Sequence, residues 1–368
     1  MARAFAAERI RPAAPAVDEA DHEVPWELVH AAAEIGLTDF MLAADHGGGG
    51  IGDCFTGCLV QAALCHGDIG IGNLITSNGF FAAAVTALGS PEHQARWLAP
   101  LTGPRPPLTA LAVTEPEVGS DAAGLRTRAR RTDAGYVLDG QKAWISNAGV
   151  CDAYLIFATV DPEKRARGVT AFVVEAGAPG LTVGSPMKKL GQRAIRSAEV
   201  FLSGVEVPAE HRLGGEGEGF YGLMRCFDSS RITLAAAATG LARAALEYAT
   251  AYARERRQFG RPIIEHQAVA FRLADMAVRA DAAELLTLRA ARTLDAGADV
   301  TAEAAMAKLY ASEAAMWCTW AAVQTLGGWG YSREYPVEKW MRDAKLEEIE
   351  EGTSDIQRLV ISRRLARG

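Results

Sequence analysis

The chain has 368 residues, of which 49% are hydrophobic and 23% are charged, and its formal net charge is -7. This length predicts two or three domains. The acidic balance gives no overall basic field that would attract nucleic acid or an anionic membrane, so we expect neither as a partner.

Targeting and cysteine patterns narrow the class of protein further. Residues 1–12 carry charges where a signal peptide needs an apolar run, and the Ala-rich segment 232–246 is too short to cross a bilayer. We therefore expect a cytoplasmic protein without a membrane span. The six cysteines are too sparse for a disulfide scaffold and fit no zinc spacing, so we expect buried, reduced thiols and no metal.

Residues 1–109 are predicted to form an N-terminal α-helical domain. Trp26, Val29, Ala33 and Leu37 recur at helical spacing and make one apolar face. The glycine run at 47–50 has no Lys-Ser/Thr after it, so it predicts a loop between helices rather than a phosphate cradle.

Residues 110–213 show the shorter period of β-strands. Strands are predicted at 108–114, 153–160, 168–175 and 197–207. The Asp139-Gly140 pair is typical of a tight hairpin turn. Several short strands at this spacing predict a middle domain that is a small antiparallel barrel or sandwich.

Residues 214–368 return to a helical pattern. One buried stripe is predicted at Val269, Leu273, Met276, Ala280 and Ala283. Long helices with short connections predict a helical bundle. The fold class is therefore multi-domain α+β, with helices first, strands in the middle and a helical bundle last.

An acidic corner near the C-terminus separates two predicted helices. Ser354 followed by Gln357 fits a capping box, which predicts Ser354 as the N-cap of the last helix. Gly352 permits a sharp turn, and Glu351 directly before it would be held at a rigid corner. This placement suits a general base, although a solvated acidic helix end is the commoner meaning of such a stretch taken alone.

Four other segments combine glycine with hydroxyl, aromatic or guanidinium groups. They lie at 113–121, 144–147, 256–262 and 324–330. Hydroxyl- and glycine-rich turns expose donors to ligands, and arginine suits phosphate. Each also has an ordinary explanation when taken alone: a loop, a packed tryptophan, a solvated basic helix end and a helix C-cap.

The order of these segments is more informative than any one of them. The chain reads Thr-Glu-Pro-x-x-Gly-Ser-Asp, Trp-Ile-Ser-Asn, Arg-x-Gln-Phe-Gly, Gln-x-Leu-Gly-Gly-x-Gly-Tyr, Met-Arg-Asp-Ala-Lys and Glu-Gly-Thr-Ser-x-Ile-Gln-Arg. In this it resembles the acyl-CoA dehydrogenase family, from about Phe5 to the C-terminus. The resemblance implies a helical domain, a β-barrel-like domain and a four-helix bundle enclosing FAD.

The resemblance also implies roles for individual residues. Those implied to bind FAD are Leu111, Val113, Thr114, Gly119, Ser120, Trp144, Ile145, Ser146, Arg256, Gln258, Phe259, Gln267, Gln324, Gly327, Gly328, Thr353 and Asp355. Those implied to contact substrate are Ser120, Phe227, Asp228, Arg231 and Gly352. The segments at 256–259 and 324–328 would reach the FAD of a neighbouring subunit, which implies an obligate oligomer, usually a tetramer.

The implied reaction is the α,β-dehydrogenation of an acyl thioester, with Glu351 removing the α-proton, the β-hydride passing to flavin N5 and an electron-transfer flavoprotein accepting the electrons. Some family members place the base directly before an arginine on an earlier helix. Here Ser230 precedes Arg231 and cannot be a base, so Glu351 is the candidate. Glu350 replaces an aromatic residue that is usual in the family, and we expect it to face solvent.

Substrate and acceptor remain open at this stage. Phe80 and Phe81 lie on the helix that should line the acyl tunnel, which predicts a short- to medium-chain acyl-CoA. A thioester on an acyl carrier protein is the alternative, with Arg165, Arg167 and Arg196 near the expected mouth. An oxidase that reduces oxygen and a non-enzymatic flavin-fold assembly protein are further alternatives.

Overall fold

The first hundred residues form helices, as their apolar periodicity predicts. The structure is a computed structural model that describes residues 1–366. Its first helices are α1 (Ala2–Phe5), a π-helical turn (Ala6–Ile10), α2 (Arg11–Ala20), α3 (Trp26–Ala33), α4 (Cys54–Gly67), α5 (Ile69–Ile75), α6 (Asn78–Leu88) and α7 (Pro91–Trp97). Val29, Ala33 and Leu37 are buried and Trp26 is half-buried, so the predicted face is confirmed.

One segment of this region has the length and hydropathy of a membrane span. It is Ile69–Leu88, and 56% of its most apolar window is buried inside the fold. The segment consists of two helices, α5 and α6, with a break at residues 76–77. Its burial is that of a core segment.

The middle region is one eight-stranded sheet. Its strands are β1 (Thr109–Ala112), β2 (Arg128–Thr132), β3 (Gly135–Ser146), β4 (Ala153–Thr159), β5 (Val169–Glu175), β6 (Leu181–Val183), β7 (Ser197–Pro208) and β8 (Arg212–Leu213). The order is β6-β7-β3-β2-β4-β5-β8, with β1 beside β4. Because β1 and β2 both pair with β4 in parallel, the sheet is mixed rather than purely antiparallel.

The hairpin predicted at Asp139-Gly140 is wrong. β3 runs straight through this pair, and its register with β7 shifts there, so the residues form a β-bulge. Gly140 has φ +152°, and a Cβ at this position would lie 2.7 Å from Thr127 Oγ1. The chain instead reverses between Thr132 and Gly135. Bulges and hairpin turns both favour an Asp-Gly pair, which is why the sequence alone confuses them.

The last region is a bundle of long helices whose core is rich in alanine. The helices are α8 (Gly219–Glu255), α9 (Gln267–Asp295), α10 (Thr301–Leu326), α11 (Val337–Glu347) and α12 (Ser354–Leu365), and a small hairpin, β9 (Arg257–Gln258) and β10 (Arg261–Pro262), follows α8. Leu273, Met276, Ala280 and Ala283 are buried, which confirms the predicted stripe on α9.

The N-terminal helices pack directly onto this bundle. A Cβ at Gly240 of α8 would lie 2.2 Å from the carbonyl oxygen of Ala62, so the backbones of α8 and α4 touch at this glycine. Cys54, Cys58 and Cys65 of α4 belong to the same core. All six cysteines are free and buried, as predicted.

Candidate active site

The candidate base stands on a strained turn between α11 and α12. Glu351 has φ +49° and Gly352 has φ +97°. A left-handed backbone at a non-glycine residue costs about 1–3 kcal/mol and is concentrated at functional sites. A Cβ at Gly352 would lie 2.8 Å from Gln357 Nε2, so position 352 favours glycine on both conformational and steric grounds.

The cap of α12 differs from the prediction by one residue. Thr353, not Ser354, is the N-cap, and its Oγ1 accepts a hydrogen bond of 3.3 Å from the N–H of Ile356. Ser354 is the first helical residue. Gln357 is fully buried and donates to the carbonyl oxygens of Glu351 and Gly352, at 3.3 and 2.8 Å. The predicted capping box is therefore wrong. The Gln357 side chain donates to two carbonyl oxygens of the turn instead of accepting a hydrogen bond from the N–H of the N-cap residue.

Three side chains from other helices hold the Glu351 corner. The hydroxyl of Ser230 on α8 donates to the Glu351 carboxylate. Arg231 Nε donates to the Glu351 carbonyl at 3.1 Å, and Lys308 Nζ of α10 donates to the Gly352 carbonyl at 2.9 Å. The corner is thus fixed by both of the long helices that flank it.

The electrostatic setting suits proton abstraction near neutral pH. Burial raises the pKa of Glu351 to about 7, against the opposing hydrogen bond from Ser230. A carboxyl group with this pKa is about half ionised at pH 7 and can accept a proton from a weak carbon acid.

Three of the five residues predicted to contact substrate, Phe227, Asp228 and Arg231, lie on the third and fourth turns of α8. The Arg231 guanidinium lies 5.3 Å from the centre of the Phe227 ring and 3.6 Å from an Asp228 carboxylate oxygen. Asp228 also accepts a hydrogen bond of 3.1 Å from Thr301, and burial raises its pKa. The Phe80 ring of α6 lies 5.5 Å from that of Phe227.

The loop at 113–120 is tied to β3 by a buried ion pair. Lys142 Nζ lies 2.9 Å from Glu115 Oε1 and donates to the Val113 carbonyl at 3.0 Å. The Ala143 N–H donates to the Thr114 carbonyl at 2.9 Å. The sequence analysis missed the role of Lys142. A lysine on the core-facing side of an otherwise apolar strand could have indicated a buried ion pair. The ion pair places the loop beside Trp144.

Trp144 is displayed outward at the end of β3. Its φ is +62°, the β3–β7 register shifts between Lys142 and Ile145, and 61% of the Trp144 residue is exposed. Ile145 is buried beneath it, whereas Ser146 is exposed. The bulge therefore presents an indole and a hydroxyl side by side on one surface.

The segment at 192–197 connects this surface with the base. The Gln192 N–H donates to Asp343 Oδ1 at 2.6 Å, and Gln192 Nε2 donates to Glu347 Oε1 at 2.8 Å, both on α11. Ser197 pairs with Ser146 at the end of β3. One short segment thus joins β3, which carries Trp144, to α11, the helix that leads into the Glu351 turn.

Comparison with known proteins supports the family resemblance that the sequence motifs indicate. Residues 1–103, 110–205 and 217–366 match the N-terminal, middle and C-terminal domains of acyl-CoA dehydrogenase. The whole chain is 39% identical to an acyl-CoA dehydrogenase of Bacillus subtilis (strain 168), and the match covers 97% of that protein. The chain belongs to the acyl-CoA dehydrogenase family.

Two solved structures resemble this chain over nearly its whole length. Butyryl-CoA dehydrogenase from Megasphaera elsdenii has a TM-score of 0.95 and 37% identity, covering 100% of this chain and 96% of that one. A prolyl acyl carrier protein oxidase, AnaB, has a TM-score of 0.94 and 30% identity, covering 99% and 96%. The family's members are FAD-dependent, so the predicted cofactor and enzyme class, a flavin oxidoreductase, are confirmed.

The residues around Trp144 fit a flavin ring. An added Cβ at Gly119 would meet no atom within 4 Å, so the loop beside Trp144 has open space. Thr114 and Leu111 are half-buried, Ser120 is exposed, and Val113 is buried at the base of the loop. A flat, partly polar ring could therefore stack on the indole and reach hydroxyl and backbone donors.

The other predicted FAD residues lie elsewhere on the chain. Those that are exposed are Arg256, Gln258, Phe259, Gln267, Gln324, Gly327, Gly328 and Asp355, while Thr353 is half-buried. Ser230 lies in the first third of α8 and Arg256 directly follows its last residue, so the two are 26 residues apart, which corresponds to about 39 Å along the helix. Within one chain, the Arg256 end of the bundle is therefore remote from Glu351.

The expectation that Glu350 faces solvent is wrong. Its Oε1 atom is buried without a hydrogen-bond partner, and burial raises its pKa. Lys308 and Lys189 act on its carboxyl group from other elements, and their positive charges oppose the rise in its pKa.

Sequence reasoning also missed Lys308 and considered Ser230 only to exclude it as the base. Lys308 is 1% exposed and lies on α10 among the buried Ala304, Ala307 and Ala311. A lysine at helical spacing within an alanine stripe was the available signal.

Proposed function

We propose that this member of the acyl-CoA dehydrogenase family oxidises a short- to medium-chain acyl thioester to the trans-2-enoyl thioester, with Glu351 as the base. The observation that carries the proposal is the Glu351 carboxylate, half-buried at a fixed corner with a pKa of about 7 and held by Ser230. The bond between the α-carbon and its proton breaks, and the proton moves to Glu351. FAD, when bound, supplies the acceptor for the β-hydride at N5.

The same corner offers a donor for the thioester oxygen. The N–H of Glu351 donates to no backbone carbonyl in the described part of the chain. A well-placed donor to a developing oxyanion contributes about 3–4 kcal/mol. The contacts of Arg231 and Lys308 with the two carbonyls of the turn keep this N–H and the carboxylate in one rigid unit.

Two observations support a short acyl chain. Phe80 turns toward Phe227 at the start of α8, and Phe81, next along α6, is buried in the core. Bulky rings at these positions would limit the depth of an acyl tunnel. The similarity to butyryl-CoA dehydrogenase from Megasphaera elsdenii points in the same direction.

We also propose a homo-oligomer, most simply a tetramer, in which one subunit completes the FAD site of another. Phe259 is 93% exposed beside Arg256 and Gln258, at the end of α8 that is remote from Glu351. Exposed apolar side chains also follow one face of α9 at seven-residue intervals, at Phe271, Val278 and Leu285. An exposed apolar stripe of this kind is typical of a subunit interface.

The experiment that tests the function is a substrate panel under anaerobic conditions. The purified protein should carry an FAD absorption spectrum, and acyl-CoA thioesters of four to eight carbons should bleach it faster than long-chain thioesters. Absence of bleaching with every thioester would refute the dehydrogenase assignment. Fastest bleaching by a long-chain thioester would refute the short tunnel alone.

A second substrate class follows from one comparison. The likeness to a prolyl acyl carrier protein oxidase favours a test of carrier-bound thioesters. Arg167 is exposed, but Arg165 is already paired with Asp121 at 2.7 Å, so the basic surface is smaller than its residues indicate. Matched acyl-CoA and carrier-protein thioesters separate the two classes. Peroxide yield separates an oxidase from an enzyme that reduces an electron-transfer flavoprotein, which we propose as the acceptor.

A further inference from the structure

A closed group of charged side chains lies directly behind the Glu351 turn. Glu347 is 1% exposed on the last turn of α11, and Glu350 follows it one turn later with a buried Oε1 atom. Lys308 of α10 faces both carboxyl groups and also donates to the Gly352 carbonyl. Glu347, Glu350 and Lys308 are not among the residues predicted to contact substrate or FAD.

The hydrogen bonds of the two carboxyl groups are incomplete. Glu347 Oε1 accepts from Gln192 Nε2 at 2.8 Å and from Asn73 Nδ2 at 3.5 Å. Glu347 Oε2 and Glu350 Oε1 have no partner in the described part of the chain. A buried polar atom left without a partner costs about 1–3 kcal/mol, and more when it is charged. One proton placed between two carboxyl groups would satisfy both atoms.

The surrounding charges favour a single negative charge on the pair. The ionisable groups that interact with the pair are Lys308 from α10, Lys189 after β6, Cys65 from α4, and Glu351 on the turn, which Arg231 of α8 contacts. Asp343, one turn earlier on α11, acts on Lys189. Asp343 is itself paired with Lys339 at 2.6 Å.

The direction of each pKa shift agrees with one bound proton. Burial raises the pKa of Glu347 to about 7 and that of Glu350 well above its ordinary value. Burial lowers the pKa of Lys308, and that of Lys189 to about 8, so neither cation fully offsets two carboxylates. The Glu347 and Glu350 side chains hydrogen-bond to each other and each alters the pKa of the other, so the two groups titrate as a pair rather than separately.

We propose that Glu347 and Glu350 hold one proton between them at neutral pH, and that Lys308 links this pair to the Gly352 carbonyl and so positions Glu351. The consequence for Glu351 rests on its proposed role as the base. Glu347 and Glu350 act through the turn and are positioning residues. In this arrangement Glu350 is the neutral partner and Glu347 carries the negative charge.

Infrared spectroscopy tests the shared proton without any turnover. At a pH about 1.5 units above the pKa of Glu351, that carboxyl group is almost fully ionised. The wild-type holoenzyme should still show a protonated-carboxyl band, which Glu350→Gln should remove. Glu348→Gln, whose glutamate pairs with Lys345 at the surface, should leave the band unchanged. Absence of the band in wild type, or its persistence in Glu350→Gln, overturns the proposal.

A pH titration tests the effect on Glu351. Glutamine at position 350 imitates the protonated carboxyl group, so Glu350→Gln should leave the apparent pKa of Glu351 close to that of wild type. The double variant Glu347→Gln/Glu350→Gln removes the remaining negative charge and should lower that pKa by about one unit. If Glu350→Gln alone lowers it as much, both groups are ionised in wild type and the proposal fails. An unchanged pKa of Glu351 in the double variant would show that the pair does not influence Glu351 and would overturn the proposed positioning role.

The titration should be followed by two readouts. The Glu351 carboxylate band, assigned by its loss in Glu351→Gln, reports the pKa whether or not a thioester is oxidised. The rate of flavin reduction against pH reports the same pKa only if the proposed function is right. If the infrared band shows the expected pKa but flavin reduction does not follow it, the proposed function is refuted and the shared proton still stands. If the double variant does not fold, the infrared comparison of Glu350→Gln with wild type decides the shared proton.

Discussion

Removal of the Ser230 hydroxyl should raise the pKa of Glu351. Ser230 donates to the Glu351 carboxylate and so stabilises its charged form against the burial that raises the pKa to about 7. A hydrogen bond to a charged group contributes about 1.5–3 kcal/mol, and one pKa unit corresponds to about 1.4 kcal/mol. Ser230→Ala should therefore move the pKa up by about one to two units.

The consequence for the rate is pH-dependent. At pH 7 the ionised fraction of Glu351 would fall from about one half to between about 9% and 1%, so flavin reduction should slow by about 5- to 50-fold. The rate should recover at higher pH, because more of the base becomes ionised. Stopped-flow measurement of anaerobic flavin reduction across the pH range gives both values.

The neighbouring serine provides a matched control. Ser229 donates to the carbonyl oxygen of Cys226 within α8 and does not contact Glu351. Ser229→Ala should retain the wild-type pH profile. A Ser230→Ala profile that superimposes on wild type, or that shifts to lower pH, would refute the assignment of this hydrogen bond to the base.

Three further predictions concern the ion pair, the interface and pH-dependent stability. Lys142→Met leaves Glu115 buried without its cation and should lower the free energy of unfolding by about 3–5 kcal/mol in denaturant titration. Arg126→Met removes one partner of an exposed ion pair and should lower it by about 1 kcal/mol or less. Equal losses in the two variants would contradict the argument from burial. Phe259→Ser should weaken assembly in analytical ultracentrifugation and release FAD, and an intact, fully yellow oligomer would exclude Phe259 from the interface. The folded-state pKa of Glu351, about 7, exceeds its ordinary value of 4.5, so its contribution to stability declines as pH rises between these values. Above pH 7, Glu351→Gln should therefore have a free energy of unfolding up to about 3 kcal/mol higher than that of wild type, and below pH 4.5 the two proteins should differ little. A gain in stability found only at acidic pH would contradict this argument.

The sequence predicts features that depend on local pattern. The three-region order follows from the change between helical and strand periodicity, and the family follows from short motifs in a fixed order. Glu351 could be singled out because Ser230 occupies the alternative position of the base. These properties are carried by neighbouring residues or by motif order, so one chain is enough to recognise them.

The sequence does not predict how side chains at the corner are oriented by distant elements. Gly352 and Lys308 are 44 residues apart, and Glu347 and Gln192 are 155 apart. The direction of Glu350 depends on what covers the turn, which only the packed fold reveals. The same holds for the cap: Thr353 and Ser354 are both good N-cap residues, and the left-handed turn decides between them.

The identity of the base is tested most directly by a comparison of wild type, Glu351→Gln and Glu350→Gln. Each protein is mixed with butyryl-CoA without oxygen, and the flavin absorbance is followed. All three should carry FAD, wild type and Glu350→Gln should bleach, and Glu351→Gln should remain yellow. Bleaching of Glu351→Gln at the wild-type rate would show that another residue removes the α-proton and would contradict the account of this corner.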